Sequence, residues 1–134
     1  MNDKRRILVV DDEEIIRSLF YRIFLNKRHR VVCVSRGQEA VEKLRSDDFD
    51  IVFTDIMMPG MDGVATLKAI REIKPDLPIV MMTGYSVPGK IQESLKLGAV
   101  DYLYKPFDVN EVHVILSRFE KMHAQKKLLT SNGD

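Results

Sequence analysis

Cysteine is almost missing from this chain. The single Cys33 excludes an internal disulfide framework and suits a reducing compartment. It lies in the apolar run Val31 to Val34, so a buried structural thiol is expected rather than a reactive one. A dominant charge is missing too. The 21 Lys and Arg nearly cancel the 20 Asp and Glu, leaving +1, so there is no bulk electrostatic case for nucleic acid or a membrane surface. Long apolar runs are lacking. The charged start Met1 to Arg6 leads only into Ile7-Leu8-Val9-Val10, too short for a signal peptide or a membrane span. A soluble, cytoplasmic chain is expected, with no membrane or direct nucleic-acid partner. Histidine is scarce as well. His29, His113 and His123 stand far apart and near no acidic cluster, so they are expected to be solvated, with no internal phosphohistidine.

What remains is enough for one ordinary domain. The chain has 134 residues, 45% of them hydrophobic, sufficient to bury a real core. Ile7 to Val10, Val31 to Val34, Ile51 to Thr54, Ile79 to Met82 and Val100 to Tyr104 are short aliphatic and β-branched runs, expected as buried strands. Between them, apolar residues recur at helical spacing. The stretches are Ile15, Ile16, Leu19, Phe20, Ile23 and Phe24; Ala40, Val41 and Leu44; Val64, Leu67, Ala69, Ile70 and Ile73; Ile91, Leu95 and Leu97; and Val109, Val112, Ile115, Leu116 and Phe119. Pro88 is placed to open the fourth helix and Gly98 to stop it. Strand and helix alternating with short connections predict an α/β fold, a parallel sheet covered on both faces with right-handed crossovers.

The strand ends carry the chemistry. Asp11 and Asp12 follow the first strand, Asp55 the third, Thr83 ends the fourth, and Lys105 follows the fifth. In an open α/β sheet these carboxyl ends converge where ligands bind. Asp55 stands before the turn residues Pro59, Gly60, Asp62 and Gly63, and taken alone it can be a nucleophile, a metal ligand or a general base. Three carboxylates in one cleft repel unless a cation joins them. A set of hard oxygens without clustered His or Cys points to Mg²⁺ or Mn²⁺ rather than zinc. A lysine and a hydroxyl complete a phosphate environment. The coherent reading is phosphoryl chemistry, with Asp55 as nucleophile. Asp62 is expected to be a turn or helix-capping residue and not a ligand, Glu13 and Glu14 to charge a helix start, and Met57, Met58, Met81 and Met82 to fill loop and core.

The motifs Asp11-Asp12, Asp55, Met58-Pro59-Gly60-Met61-Asp62-Gly63, Thr83-Gly84, Gly98-Ala99-Val100-Asp101-Tyr102 and Lys105-Pro106-Phe107 occur in this order. Together they resemble the response-regulator receiver domain of two-component signalling, in the CheY-like superfamily. The resemblance implies a single flavodoxin-like (βα)5 domain with strand order 2-1-3-4-5. Residues 5–122 would form the receiver and 123–134 a helix end and polar tail or linker. It implies a phosphorylation-operated switch, not a turnover enzyme. Asp55 would accept a phosphoryl group from a sensor histidine kinase or a histidine phosphotransfer protein. Asp11, Asp12, Asp55 and the backbone carbonyl of Met57 would hold Mg²⁺ or Mn²⁺. Thr83 and Lys105 would bond the phosphoryl group, Lys105 across a cis peptide to Pro106, and Tyr102 would turn inward as Thr83 moves.

Two other classes share part of this chemistry. A haloacid-dehalogenase-like phosphatase also uses an aspartyl phosphate, but its Asp-x-Asp spacing is not found at Asp11-Asp12-Glu13. A pseudo-receiver would lack a site residue, and none is missing. The signal is expected to leave through the fourth helix, fifth strand and fifth helix. Lys90, Glu93, Lys96, Asp101, Glu111 and Arg118 there carry both signs and suit a weak homodimer.

Overall fold

The alternating runs resolve into five strands and five helices. The chain order is β1 (Arg6–Val10), α1 (Glu14–Phe24), β2 (Arg30–Val34), α2 (Gly37–Ser46), β3 (Ile51–Asp55), α3 (Gly63–Ile73), β4 (Ile79–Thr83), α4 (Pro88–Lys96), β5 (Asp101–Tyr104) and α5 (Val109–Asn132). The computed structural model describes residues 5–25, 29–84 and 88–132, with backbone alone for Pro88 and 121–132. All strand pairs are parallel, in the order β2-β1-β3-β4-β5. This is the doubly wound flavodoxin-like arrangement expected from the resemblance.

The period of two along each strand divides the interior into two layers. Leu8, Val10, Val52, Ile79 and Met81 pack with Ala40, Val41, Leu44, Val64, Leu67 and Ile70 of α2 and α3. Ile7, Val9, Ile51, Phe53, Val80 and Met82 pack with Phe20, Ile23 and Phe24 of α1 and Val112, Ile115, Leu116 and Phe119 of α5. Central strands buried on both faces explain the uninterrupted apolar runs. Each large side chain withdrawn from water there contributes about 1.5–3 kcal/mol. Gly98 ends α4 with φ +99°, the left-handed conformation that a β-carbon disfavours.

Some boundaries and faces differ from expectation. β5 begins at Asp101, leaving Val100 on the surface. Ile15 faces solvent at 74% exposure, because it sits in the first turn of α1, ahead of the stripe that meets the sheet. In α4 the buried position is Ser94, not Leu95. The Ser94 hydroxyl donates to the Lys90 carbonyl at 2.8 Å, so its burial leaves no unmet donor. His29 and His113 are half-buried and not solvated. Both stand edge-on to Phe24, at 5.3 and 6.0 Å between ring centres. The His123 side chain lies outside the described residues. The last helix continues to Asn132. Among the described residues no helix is long and apolar enough to cross a membrane.

Candidate functional site

Register assembles the site. Val10 pairs with Thr54 and Asp55 with Met82, so Asp11, one residue beyond β1, comes level with Asp55. Thr83 pairs with Tyr104, which sets Lys105 beside the same edge. The Lys105 amide donates to the Thr83 carbonyl at 2.7 Å, continuing the ladder one step past the strands. The Lys105–Pro106 peptide is cis, as the resemblance implies.

The β3–α3 turn is shaped by sterics at Gly63. A β-carbon there would strike the Asp55 carbonyl oxygen and approach the Ile56 α-carbon to 2.6 Å. The glycine amide donates to the Ile56 carbonyl at 2.8 Å, so the turn closes tightly behind Asp55. Asp62 caps α3, its Oδ1 accepting from the Ala65 amide at 2.9 Å. Its capping role is as expected, and its other oxygen meets Lys90 at 3.2 Å.

Asp11, Asp12 and Asp55 each present a carboxylate oxygen, all within 4.8 Å of one another. Asp11 is fully buried and Asp55 only 4% exposed, whereas Asp12 faces solvent. Burial, reinforced by the neighbouring Asp11 charge, pushes the Asp55 carboxyl up to about 6. Burial likewise raises that of Asp11. Asp55 Oδ1 accepts from the Met57 amide at a long 3.4 Å. Asp11 Oδ1 accepts from the Glu13 amide at 2.8 Å. Asp11 Oδ2 faces Lys105 Nζ at 2.8 Å as an ion pair. Three carboxylate oxygens in one cleft, with Asp11 and Asp55 buried, are a donor set that suits a hard divalent cation.

Lys105 Nζ binds Glu13 Oε1 at 2.7 Å and Asp55 Oδ2 at 3.2 Å as well. Burial works against the ammonium, but the Asp11 and Glu13 carboxylates outweigh it and hold Lys105 well above its ordinary pKa. Thr83 is fully buried at the end of β4. Tyr102, one strand away, is 37% exposed and stands edge-on to Tyr104 at 5.2 Å. Met57 is half-exposed in the loop after Asp55, while Met58, Met81 and Met82 are buried in the core. Cys33 is half-buried and not fully buried as expected; burial pushes its thiol up to about 11.

All residues expected at the site except Tyr102 therefore cluster at one edge; Tyr102 sits beside it and faces outward. Glu13 was missed. It reads as a helix-start charge, and nothing in its spacing says that its side chain turns back to Lys105. An open groove of about 1090 Å³ runs from Lys105 and Phe107 along Ile15, Leu19 and Arg22 of α1. A smaller one of about 540 Å³, beside Phe49, Leu77 and Val100, opens at the opposite edge of the sheet and holds none of these residues.

A parallel sheet whose carboxyl edge gathers three acids, a lysine and a buried threonine defines a class: switches operated by phosphorylation. The chain belongs to the response regulator receiver domain family, which it matches over residues 7–117. It is 40% identical over 111 residues to the transcriptional regulatory protein ZraR of Klebsiella oxytoca, covering 83% of this chain and 25% of that protein. It is 34% identical over 119 residues to sporulation initiation phosphotransferase F of Bacillus subtilis, covering 89% of this chain and 94% of that one. Among solved structures, it resembles the receiver domain of a Pseudomonas aeruginosa sensor histidine kinase with a magnesium ion coordinated in its active-site cleft. That match has a TM-score of 0.79 and 28% identity, and covers 87% of this chain and 98% of the other. The chain spans about a quarter of the length of the transcriptional regulators it matches.

Proposed function

We propose that Asp55 is the phosphoacceptor of this receiver, within a unit of residues 5–122 followed by a helix end or linker at 123–134. The observation that carries the reading is the pairing of a nearly buried Asp55 with Lys105 at 3.2 Å inside the acidic cluster. An Asp55 oxygen attacks the phosphorus of a phosphohistidine on a sensor kinase or histidine phosphotransfer protein. A P–O bond forms, the P–N bond breaks, and the electron pair stays on the departing imidazole nitrogen. Asp11, Asp12, Asp55 and the Met57 carbonyl would hold Mg²⁺ or Mn²⁺, which when bound neutralises the carboxylates and orients phosphoryl oxygens. Lys105 offers its ammonium to the new phosphoryl oxygens and Thr83 its hydroxyl. Membership of the receiver family supports a phosphoacceptor switch over a turnover enzyme. The groove beside α1 opens next to Lys105 and exposes Ile15, which supports docking of the donor there. A cytoplasmic setting is proposed with this reading, where a histidine kinase or phosphotransfer protein would present its phosphohistidine.

Output is proposed through α4, β5 and α5. As Thr83 turns toward the phosphoryl group, Tyr102 moves into the space beside it. Intact mass after treatment with Mg²⁺ and acetyl phosphate should show one added phosphoryl group, lost in Asp55→Asn. A mutant that labels as well as wild type would refute the acceptor assignment.

A further inference from the structure

We infer that Glu13 is a positioning residue that withholds Lys105 from the phosphoryl group and thereby limits the rate and strength of activation. The inference rests on Asp55 as acceptor and Lys105 as its cationic partner. Lys105 Nζ stands among three carboxylates, and its distances rank them: Glu13 at 2.7 Å, Asp11 at 2.8 Å and Asp55 at 3.2 Å. Only the Glu13 and Asp55 contacts have hydrogen-bond geometry, and the Glu13 one is shorter by half an ångström. The lysine thus rests against the partner that takes no part in the chemistry.

Glu13 lies outside the acidic cluster. The oxygens within 4.8 Å of one another belong to Asp11, Asp12 and Asp55. A cation there would draw on the Asp11 and Asp55 oxygens and loosen their hold on the lysine. It would leave Glu13 in place. Glu13 is then the remaining carboxylate that competes with an arriving phosphoryl group for the ammonium. Its backbone is anchored for this. The Glu13 amide donates to Asp11 Oδ1 at 2.8 Å, and its carbonyl accepts from the Ile16 and Arg17 amides at 3.2 Å, at the start of α1. The side chain itself is half-exposed, so removing its charge leaves the core untouched.

The contact also separates two causes. Glu13 carries a negative charge at the mouth of the site, and that charge alone would repel an anionic donor. Glu13→Asp keeps the charge but is one methylene too short for the 2.7 Å contact. Glu13→Gln removes the charge and the ion pair. Glu14→Gln removes the same charge from the same helix start, at a residue with no contact to Lys105.

The experiment measures the initial rate of Asp55 phosphorylation by acetyl phosphate at saturating Mg²⁺ and the dissociation constant of beryllofluoride, in wild type and the three variants. Glu13→Gln should raise the rate and tighten beryllofluoride by about fivefold, the upper range for a solvent-accessible ion pair. Glu13→Asp should follow Glu13→Gln, and Glu14→Gln should stay near wild type. Wild-type values for Glu13→Gln overturn the inference. So does Glu13→Asp behaving as wild type, or Glu14→Gln matching Glu13→Gln, since either makes the effect one of charge alone. A wild-type chain that takes no phosphoryl group at Asp55 overturns the acceptor reading itself, and the role of Glu13 with it.

Discussion

At the scale of single residues, like charges confined away from water dominate the site. Asp55 and Asp11 are both buried, and burial raises both carboxyls. A folded Asp55 near 6, against 3.8 as its ordinary value, binds more protons than the unfolded chain between those limits. Its carboxylate therefore costs stability above pH 6, and the cost fades as pH falls toward 4. In metal-free buffer at pH 7.5, Asp55→Asn should stabilise the fold by about 1–3 kcal/mol, and the gain should shrink as pH falls through 6. Thermal melts across pH check this, and a gain that grows in acid would show that repulsion is not the cause. Mg²⁺ titration separates the neighbours. Asp12→Ala should weaken binding, because it removes a hard anionic ligand. Asp62→Ala should leave affinity nearly unchanged, because that side chain caps α3 and pairs with Lys90.

Among elements, the β3–α3 connection carries the strictest demand. Gly60 has the left-handed φ of +74° and open space around it, whereas Gly63 has ordinary φ but backbone against it on the Asp55 side. Gly60→Ala should cost about 1 kcal/mol, the backbone penalty alone. Gly63→Ala should cost more, about 2–4 kcal/mol, because the Asp55–Ile56 backbone must shift to admit the methyl group. Urea denaturation gives the order, and a larger loss at Gly60 would mean that the turn relaxes more easily than its contacts indicate. The helices show how far local pattern reaches. α2 and α3 present the apolar faces expected of them. In α4 the inward face centres on Ser94, with Ile91 and Leu97 packed on the core to either side, which turns Leu95 outward.

For the whole molecule, the tertiary structure revises the surface proposed for output. Asp101 and Arg118 pair with each other at 2.9 Å, and Lys90 with Asp62 at 3.2 Å. These charges already have partners in their own chain and are poor anchors for a second copy. Leu95, Tyr102 and Tyr104 supply exposed apolar area on the same face. Beryllofluoride-activated protein should therefore self-associate more than resting protein. Asp101→Ala and Arg118→Ala should change that by no more than about fivefold, and Tyr104→Ser by more. Sedimentation equilibrium reads the difference, and equal masses in both states would remove the face as a dimer contact.

The alternation of short apolar runs with helical stripes was sufficient, by itself, to determine a parallel α/β sheet, because burial on both faces keeps β3 apolar up to Thr54 and β4 apolar up to Thr83. The order of Asp11, Asp12, Asp55, Thr83 and Lys105 at successive strand ends was equally legible, since a parallel sheet delivers every such end to one edge. Only the tertiary structure decided which carboxylates Lys105 holds and that Asp101 answers Arg118. Period and spacing specify which face a side chain occupies. Partner choice among several acids of one kind depends on register and on angles between elements far apart in sequence, and no local pattern records those.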